Sequence, residues 1–220
     1  MEAGRQPVEQ ALLGRGQVDA GDADLGKSQL LAPCPQLFDE ALRALKMHSG
    51  HPTILATRTL HWPDEAACAA DAARLARHPA ALAALHDAFI ALHGPLGAGK
   101  TTFVRHLLRA LGVAGRIKSP TYGVLEPHVG GEPAPGLAIS HFDFYRFDDP
   151  REWLDAGFRD VFAAPGLKLA EWPQKAAAVL PVADLALHLS PQGDAARDVR
   201  AEAATPRGEA LLQAWGPGPA

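Results

Sequence analysis

The sequence is poor in cysteine, in long apolar runs and in excess basic charge. Two cysteines among 220 residues, Cys34 and Cys68, are too few for a disulfide framework and have no metal-ligand spacing. No stretch approaches about 18 consecutive apolar residues, and the acidic start lacks the apolar core of a secretory signal. The formal net charge of −4 provides no basic field for nucleic acid. We therefore expect a cytoplasmic protein that binds neither membrane nor DNA.

The composition of the N-terminal part differs from that of the rest. Residues 1–46 are rich in glycine, glutamine, proline and aspartate, which predicts a poorly ordered extension. Met47 is the only methionine after Met1, and it precedes the first patterned segment. The extension is therefore expected to be dispensable or to reflect a misassigned translation start. We predict a single domain over residues 47–215 and a loose tail at 216–220.

Strand and helix patterns alternate through the remainder of the chain. Short apolar or alternating runs predict strands, and amphipathic segments that begin with proline or acidic residues predict helices. Such alternation predicts an α/β three-layer sandwich, and two hairpins make its central β-sheet mixed. The predicted strands are 53–60, 88–93, 121–126, 137–144 and 167–172, with a terminal hairpin made of "ADLALHLS" and "ARDVRAEA". The predicted helices are 63–78, a short piece before residue 88, 100–111, "DPREWLDAGFRDVF" with Asp149 or its neighbour as cap, and "GEALLQAW".

The stretch "ALHGPLGAGKTTFVRHLLRALG" carries the most specific motif. Gly94, Gly99, Lys100 and Thr101 fit the pattern G-x-x-x-x-G-K-[ST], between an apolar strand and an amphipathic helix. Such a loop turns backbone N–H groups inward at the positive end of a helix and cradles phosphate. Lys100 would reach the outer phosphates, and Thr101 would offer its hydroxyl to Mg²⁺. A plain glycine-rich turn is the alternative, which the matching flanks disfavour. The pattern predicts a P-loop NTPase-like fold that binds a nucleoside triphosphate.

Three later stretches offer partners for a bound nucleotide and its metal. Asp143 ends the strand in "HFDFYR", and Glu171 ends the strand in "KLAEWP" just before Trp172. "KSPTY" places Ser119 and Thr121 in a loop where a switch-like segment could reach the γ-phosphate. Acidic residues at the carboxyl ends of strands are where a P-loop fold presents ligands to magnesium. The alternatives are that each carboxylate is a cap or lies in a solvated turn, and that the tryptophan serves packing.

These four motifs, in this order and spacing, resemble the TsaE family over about residues 52–205. G-x-L-G-A-G-K-T-T is followed by K-S-P-T-Y, H-F-D-x-Y-R and E-W-P. The resemblance implies the ATPase component of the bacterial machinery that makes threonylcarbamoyladenosine in transfer RNA. One departure is Pro95, because this position is usually acidic in the family and proline has no N–H to donate to phosphate.

The resemblance also implies roles for individual residues, with ATP and Mg²⁺ as the cofactors. Thr101 and Glu171 would hold the metal, Glu171 directly or through water. Asp143, Lys100 and Glu171 would be catalytic, with Asp143 orienting or activating the attacking water. Further nucleotide contacts are expected near residues 62–65 and Arg197. The implied nucleotide-binding residues are Gly94, Leu96, Gly97, Ala98, Gly99, Lys100, Thr101, Thr102, Thr121 and Trp172.

The implied function is ATP hydrolysis in support of a modification reaction. The chain would act with a TsaB–TsaD pair that places threonylcarbamoyl on adenosine 37 of tRNAs reading ANN codons, and would meet tRNA only through that complex. Hydrolysis by the isolated chain is expected to be slow. A small-molecule kinase is the alternative, although no arginine-dense lid follows the P-loop. A GTP switch needs N-K-x-D, and this chain has no asparagine. A binder that never hydrolyses is disfavoured by Asp143 and Glu171.

Overall fold

The computed structural model describes residues 52–148 and 150–216. The predictions for residues 1–46, for Asp149 as a helix cap and for the tail beyond Gly216 lie outside these ranges. Within them, no helix is both long enough and apolar enough to cross a bilayer.

The described part consists of one sheet and short helices. Short 3₁₀ turns also occur at Pro173–Ala176 and Gln213–Trp215. The strands are β1 (Ala56–Trp62), β2 (Phe89–His93), β3 (Leu125–Val129), β4 (Ala138–Asp143), β5 (Leu167–Glu171), β6 (Leu185–Gln192) and β7 (Ala196–Ala203). The α-helices are α1 (Glu65–Arg77), α2 (Pro79–Leu85), α3 (Lys100–Ala110), α4 (Pro150–Asp155), α5 (Phe158–Ala163) and α6 (Pro206–Leu212).

The sheet has a parallel centre and antiparallel margins. Its strand order is β1-β7-β6-β2-β5-β4-β3. β2 pairs in parallel with β5 and β6, and β4 pairs in parallel with β5. The hairpins β3–β4 and β6–β7 and the pair β1–β7 are antiparallel. The carboxyl ends of β2, β4 and β5 therefore meet at one edge of the sheet, where ligands bind in open α/β folds.

Side chains alternate between the two faces of the central strands and so define two cores. Ile90 and Leu92 of β2 belong to an aliphatic core with α1, α2, α3 and α6. Phe89 and Ala91 point the other way and belong to an aromatic core with α4 and α5. Helices thus cover both faces of a mixed sheet. The predicted α/β three-layer sandwich is confirmed.

Some predicted boundaries were wrong for local reasons. The first strand occupies Ala56–Trp62 rather than 53–60, and β3 occupies Leu125–Val129 rather than 121–126. A turn replaces the start of β3, because the N–H groups of Gly123 and Val124 both donate to Pro120 O, at 2.9 and 2.7 Å. The helical segment predicted after residue 148 is divided into α4 and α5 by Gly157, whose φ of 68° ends the first helix.

Candidate functional site

The loop between β2 and α3, residues 94–99, is called the phosphate loop below. Gly94, Gly97 and Gly99 have φ values of 143°, 77° and 100°, which side-chain-bearing residues rarely adopt. A Cβ on Gly94 would lie 2.6 Å from the backbone oxygen of Leu189 in β6. Glycine at 94 is therefore required both by its conformation and by the close approach of the neighbouring strand.

Lys100 folds back over the phosphate loop. Its Nζ donates to the backbone oxygens of Gly94 and Pro95, each at 2.8 Å, and lies 4.0 Å from the ring centroid of Trp172. Burial lowers the pKa of Lys100, while the negative charges of Glu171 and Asp143 act to raise it. The ammonium is thus held at the loop, close to two carboxylates. Pro95 takes part through its carbonyl, as its lack of an N–H requires.

Thr101 and Glu171 are in direct contact. Thr101 Oγ1 lies 2.8 Å from both Glu171 carboxylate oxygens and donates to them. The carboxylate belongs to a side chain that is only 2% exposed. Its Oε1 also lies 2.9 Å from Nε2 of His141, a fully buried residue of β4. The first turn of α3 and the end of β5 therefore meet at these two side chains.

Asp143 lies beside Glu171 and fixes the segment at residues 113–124, here called the switch-like loop. Asp143 and Glu171 are register partners across β4 and β5. Oδ2 of Asp143 accepts from Ser119 Oγ at 2.7 Å and from Thr121 Oγ1 at 2.6 Å, and Oδ1 accepts from the N–H of Tyr145 at 3.0 Å. The predicted loop hydroxyls are therefore connected to the sheet through this carboxylate.

The oxygen atoms at this point fit a magnesium ion. Mg²⁺ prefers oxygen ligands and commonly takes one or two carboxylates, with substrate phosphates and water completing an octahedron. Thr101 and Glu171 supply such a hydroxyl and carboxylate, and Asp143 lies next to them. In the described residues no group of three or more His, Cys, Asp or Glu side chains could hold a metal alone. The donor set suits a metal that arrives with a phosphate ligand.

A cleft of about 300 Å³, called the side cleft below, opens next to the phosphate loop. Trp62 is stacked on Phe103, with ring centroids 5.6 Å apart, and its Nε1 donates to Asp71 Oδ2 at 2.8 Å. Arg197 connects cleft and loop, because its Nε and Nη2 donate to the backbone oxygens of Ala98 and Gly97, at 3.1 and 3.2 Å. The cleft is lined by Trp62, Asp64, Glu65, Cys68, Gly99, Thr102, Asp194, Ala195 and Arg197.

The structure brings most of the predicted site residues together. Leu96 is 77% exposed at the tip of the phosphate loop, so only its backbone can line the cradle. Trp172 lies against Lys100 and, at a centroid distance of 5.0 Å, against Tyr145. His141 was not among the functional residues predicted from the sequence. The signal was available, because His141 precedes Asp143 by two residues on a strand and must share its face.

The fold and the glycine-rich loop before α3 define a protein of the P-loop class. A family model described as "Threonylcarbamoyl adenosine biosynthesis protein TsaE" matches residues 63–199. The chain therefore belongs to the TsaE family, and the resemblance inferred from its motifs is confirmed.

Individual relatives agree with this membership. The chain is 39% identical over 124 residues to the TsaE protein of Haemophilus influenzae and 32% identical over 124 residues to that of Bacillus subtilis. Each alignment covers 56% of this chain and 75% of the relative. The crystal structure of Bacillus subtilis YdiB matches with a TM-score of 0.56 at 23% identity, covering 74% of this chain and 95% of that one. That structural match supports the fold.

Proposed function

We propose that this chain binds ATP with Mg²⁺ and hydrolyses it to support threonylcarbamoylation of adenosine 37 in tRNAs that read ANN codons. It would do so in the cytoplasm, together with TsaB and TsaD homologues. The observation that carries the proposal is the meeting of Thr101 and Glu171 at 2.8 Å, directly beside Lys100, whose ammonium folds over the phosphate loop. Membership of the TsaE family supplies the pathway.

Binding would be divided between the phosphate loop and the side cleft. Inward N–H groups of residues 94–102 other than Pro95, together with the Lys100 ammonium, would hold the phosphates. The side cleft, which borders the loop at Gly99 and Thr102, would hold the nucleoside part. Thr101 and Glu171 would hold Mg²⁺, which when bound neutralises negative charge on the phosphates. ATP is favoured over GTP because a chain without asparagine has no N-K-x-D motif.

Asp143 would orient the attacking water. Its carboxylate is fixed by hydrogen bonds from Ser119, Thr121 and the Tyr145 N–H, so its orientation is set before the nucleotide arrives. A positioned carboxylate can accept a proton from water during attack on phosphorus. Arg197 uses its Nε and Nη2 on carbonyls of the phosphate loop rather than reaching across it. Slow hydrolysis alone, with stimulation in trans by the partner pair, is consistent with this arrangement.

Phosphate release from Mg–ATP by the full chain, with and without the TsaB–TsaD pair, tests the proposal. The pair should accelerate release, and Lys100→Ala or Glu171→Ala should abolish it, because each removes a charge that acts on the phosphates or their metal. Lys175→Ala is the matched control, since Lys175 pairs with Asp148 away from the loop. Release that is unchanged in the first two variants would refute the assignment. Transfer of γ-phosphate to a small hydroxyl acceptor, rather than to water, would favour a kinase.

A further inference from the structure

His141 lies on β4, buried beside the strand that ends in Glu171. It belongs to β4, where its register partners are Glu126 on β3 and Leu169 on β5. The residue is fully buried, and its single side-chain hydrogen bond in the described structure joins Nε2 to Glu171 Oε1 at 2.9 Å. An imidazole that only filled space here would have no need to meet a carboxylate.

The direction of this hydrogen bond follows from its partners. A carboxylate oxygen accepts, so Nε2 must carry the hydrogen. The other ring nitrogen, Nδ1, is buried and has no partner among the described residues. A hydrogen on Nδ1 would therefore be a buried donor without an acceptor, which is costly. The hydrogen bonding therefore assigns Nε2 as the nitrogen of this ring that donates to Glu171.

Glu171 has two side-chain donors, and a metal would compete with only one of them. Thr101 Oγ1 donates to both carboxylate oxygens, but the same oxygen is the proposed metal ligand. His141 reaches Oε1 from the neighbouring strand β4, whereas Thr101 reaches the carboxylate from the first turn of α3. Once Thr101 turns its lone pairs to a cation, His141 remains to hold the carboxylate. Oε2 is then the oxygen left free to face the cation.

We propose that His141 is a positioning residue, which fixes the Glu171 carboxylate so that Oε2 is presented to the metal of the bound nucleotide. The inference rests on the proposed function, because it presupposes a metal held by Thr101 and Glu171. Hydrogen-bond partners of metal-ligating groups set the orientation of those groups, and their loss commonly weakens metal binding about 10- to 100-fold. His141 itself does not touch metal or substrate.

The test is a titration of Mn²⁺ into the full chain saturated with ADP. The electron paramagnetic resonance signal of unbound Mn²⁺ measures how much of the ion is bound. ADP affinity in the presence of EDTA is measured in parallel, and thermal melting reports folding. Four variants are compared: His141→Leu, His141→Asn, His141→Gln and His128→Leu. The amide nitrogen of Gln can reach the position of Nε2, whereas that of Asn falls near Nδ1. His128 is the matched control. It lies on the neighbouring strand β3, two residues after Glu126, the register partner of His141, and it has no hydrogen bond to Glu171.

We expect His141→Leu and His141→Asn to weaken Mn²⁺ binding at least about tenfold, with His141→Gln recovering most of the loss. ADP affinity in EDTA and the behaviour of His128→Leu should stay close to wild type. Equal Mn²⁺ affinity in the Asn and Gln variants would overturn the proposal, even if His141→Leu does not fold. The proposal would also be overturned if His141→Leu had a lower melting temperature but bound Mn²⁺ as tightly as the wild type. Failure of the wild-type chain to bind Mn²⁺ with ADP would instead count against the proposed function.

Discussion

The two walls of the candidate site are built differently. The phosphate loop follows β2, which pairs in parallel with β5 and β6, and its carbonyls accept hydrogen bonds from Lys100 and Arg197. The switch-like loop, which is bonded to Asp143 of β4, has no helix or strand over residues 113–124. Buried Val113 and Ile117 and the hydroxyls of Ser119 and Thr121 fasten it, while Tyr122 is 87% exposed.

This difference separates two tasks that a nucleotide-driven protein must perform. A wall with a fixed backbone can cradle phosphate without paying for reorganisation, as anion sites at helix starts do. A wall held by a few side-chain bonds can change its position when one bond partner changes. Asp143 is such a partner. It ends β4, accepts a hydrogen bond from Thr121 of the switch-like loop, and lies next to Glu171 of β5. We therefore expect a fixed half, the phosphate loop, to bind the nucleotide and a movable half, the switch-like loop, to respond to it.

Removing the Asp143 carboxylate should have the largest effect, and it tests whether the two loops have separate tasks. Asp143→Ala deletes the acceptor for Ser119 and Thr121 and the group proposed to orient water. We expect ATP turnover to fall about a hundredfold or more, while ATP affinity stays within about threefold of wild type. Tryptic cleavage at Arg116 and Lys118 should become faster. The double variant Ser119→Ala/Thr121→Val is the control that frees the loop but keeps the carboxylate. If Asp143→Ala lost ATP affinity instead, the two walls would not be separable.

Removing Arg197 should test how far the fixed wall depends on the terminal hairpin. Arg197→Gln eliminates two hydrogen bonds to carbonyls of the phosphate loop. At about 1 kcal/mol each, their loss should weaken binding of a non-hydrolysable ATP analogue about tenfold or more, as titration calorimetry would measure. Arg200→Gln, on the same strand and paired with Glu202, is the control and should bind normally. Full affinity in Arg197→Gln would mean that the loop holds its shape without the hairpin.

Acid should destabilise the fixed wall through His93, the last residue of β2. Burial, together with the charge of His188, whose ring stacks on it at 4.5 Å, lowers the pKa of His93 from 6.5 to about 4, against the opposing effects of Glu202 and Gln174. Between these values the unfolded chain binds more protons than the folded one, so stability decreases as pH falls from 6.5 to about 4. His93→Phe keeps a stacked ring without a titrating group.

Melting temperatures of wild type and His93→Phe, measured between pH 7 and about pH 4, would check this effect. Above pH 6.5 the melting temperatures of the two proteins should change with pH in nearly the same way. Below pH 6.5 the melting temperature of the wild type should fall more steeply. This is the smallest of the three expected effects, because His93 is only partly buried. An identical pH dependence in both proteins would show that protonation of His93 carries no folding penalty.

The sequence could predict the fixed half because its signals are local. Strand, glycine loop and helix follow one another without interruption from residue 88 to 111, and the motif sets the position of Lys100 and Thr101. The pairing of Asp143 with Glu171 was also predictable, since both end parallel strands. These rules need only neighbouring residues and the geometry of a parallel sheet.

The remainder depends on contacts that sequence spacing does not encode. The start of β3 was placed too early because "TYGVLE" has strand propensity, whereas the Pro120 carbonyl draws two N–H groups into a turn. The side cleft joins residues 62–68 to residues 194–197, which only the β1–β7 pairing brings together. The contact between His141 and Glu171 likewise needs the register of β4 on β5.

That cleft has a consequence for the order in which the protein is made. β6 lies directly against β2 in the middle of the sheet, and β7 carries Arg197 to the cleft. A nascent chain on the ribosome thus contains the P-loop motif well before the strands that complete the site around it. A product ended by a premature stop codon ahead of residue 185 keeps the motif but leaves β2 with an open edge. On the proposed function, competence for nucleotide is accordingly among the last properties acquired during translation.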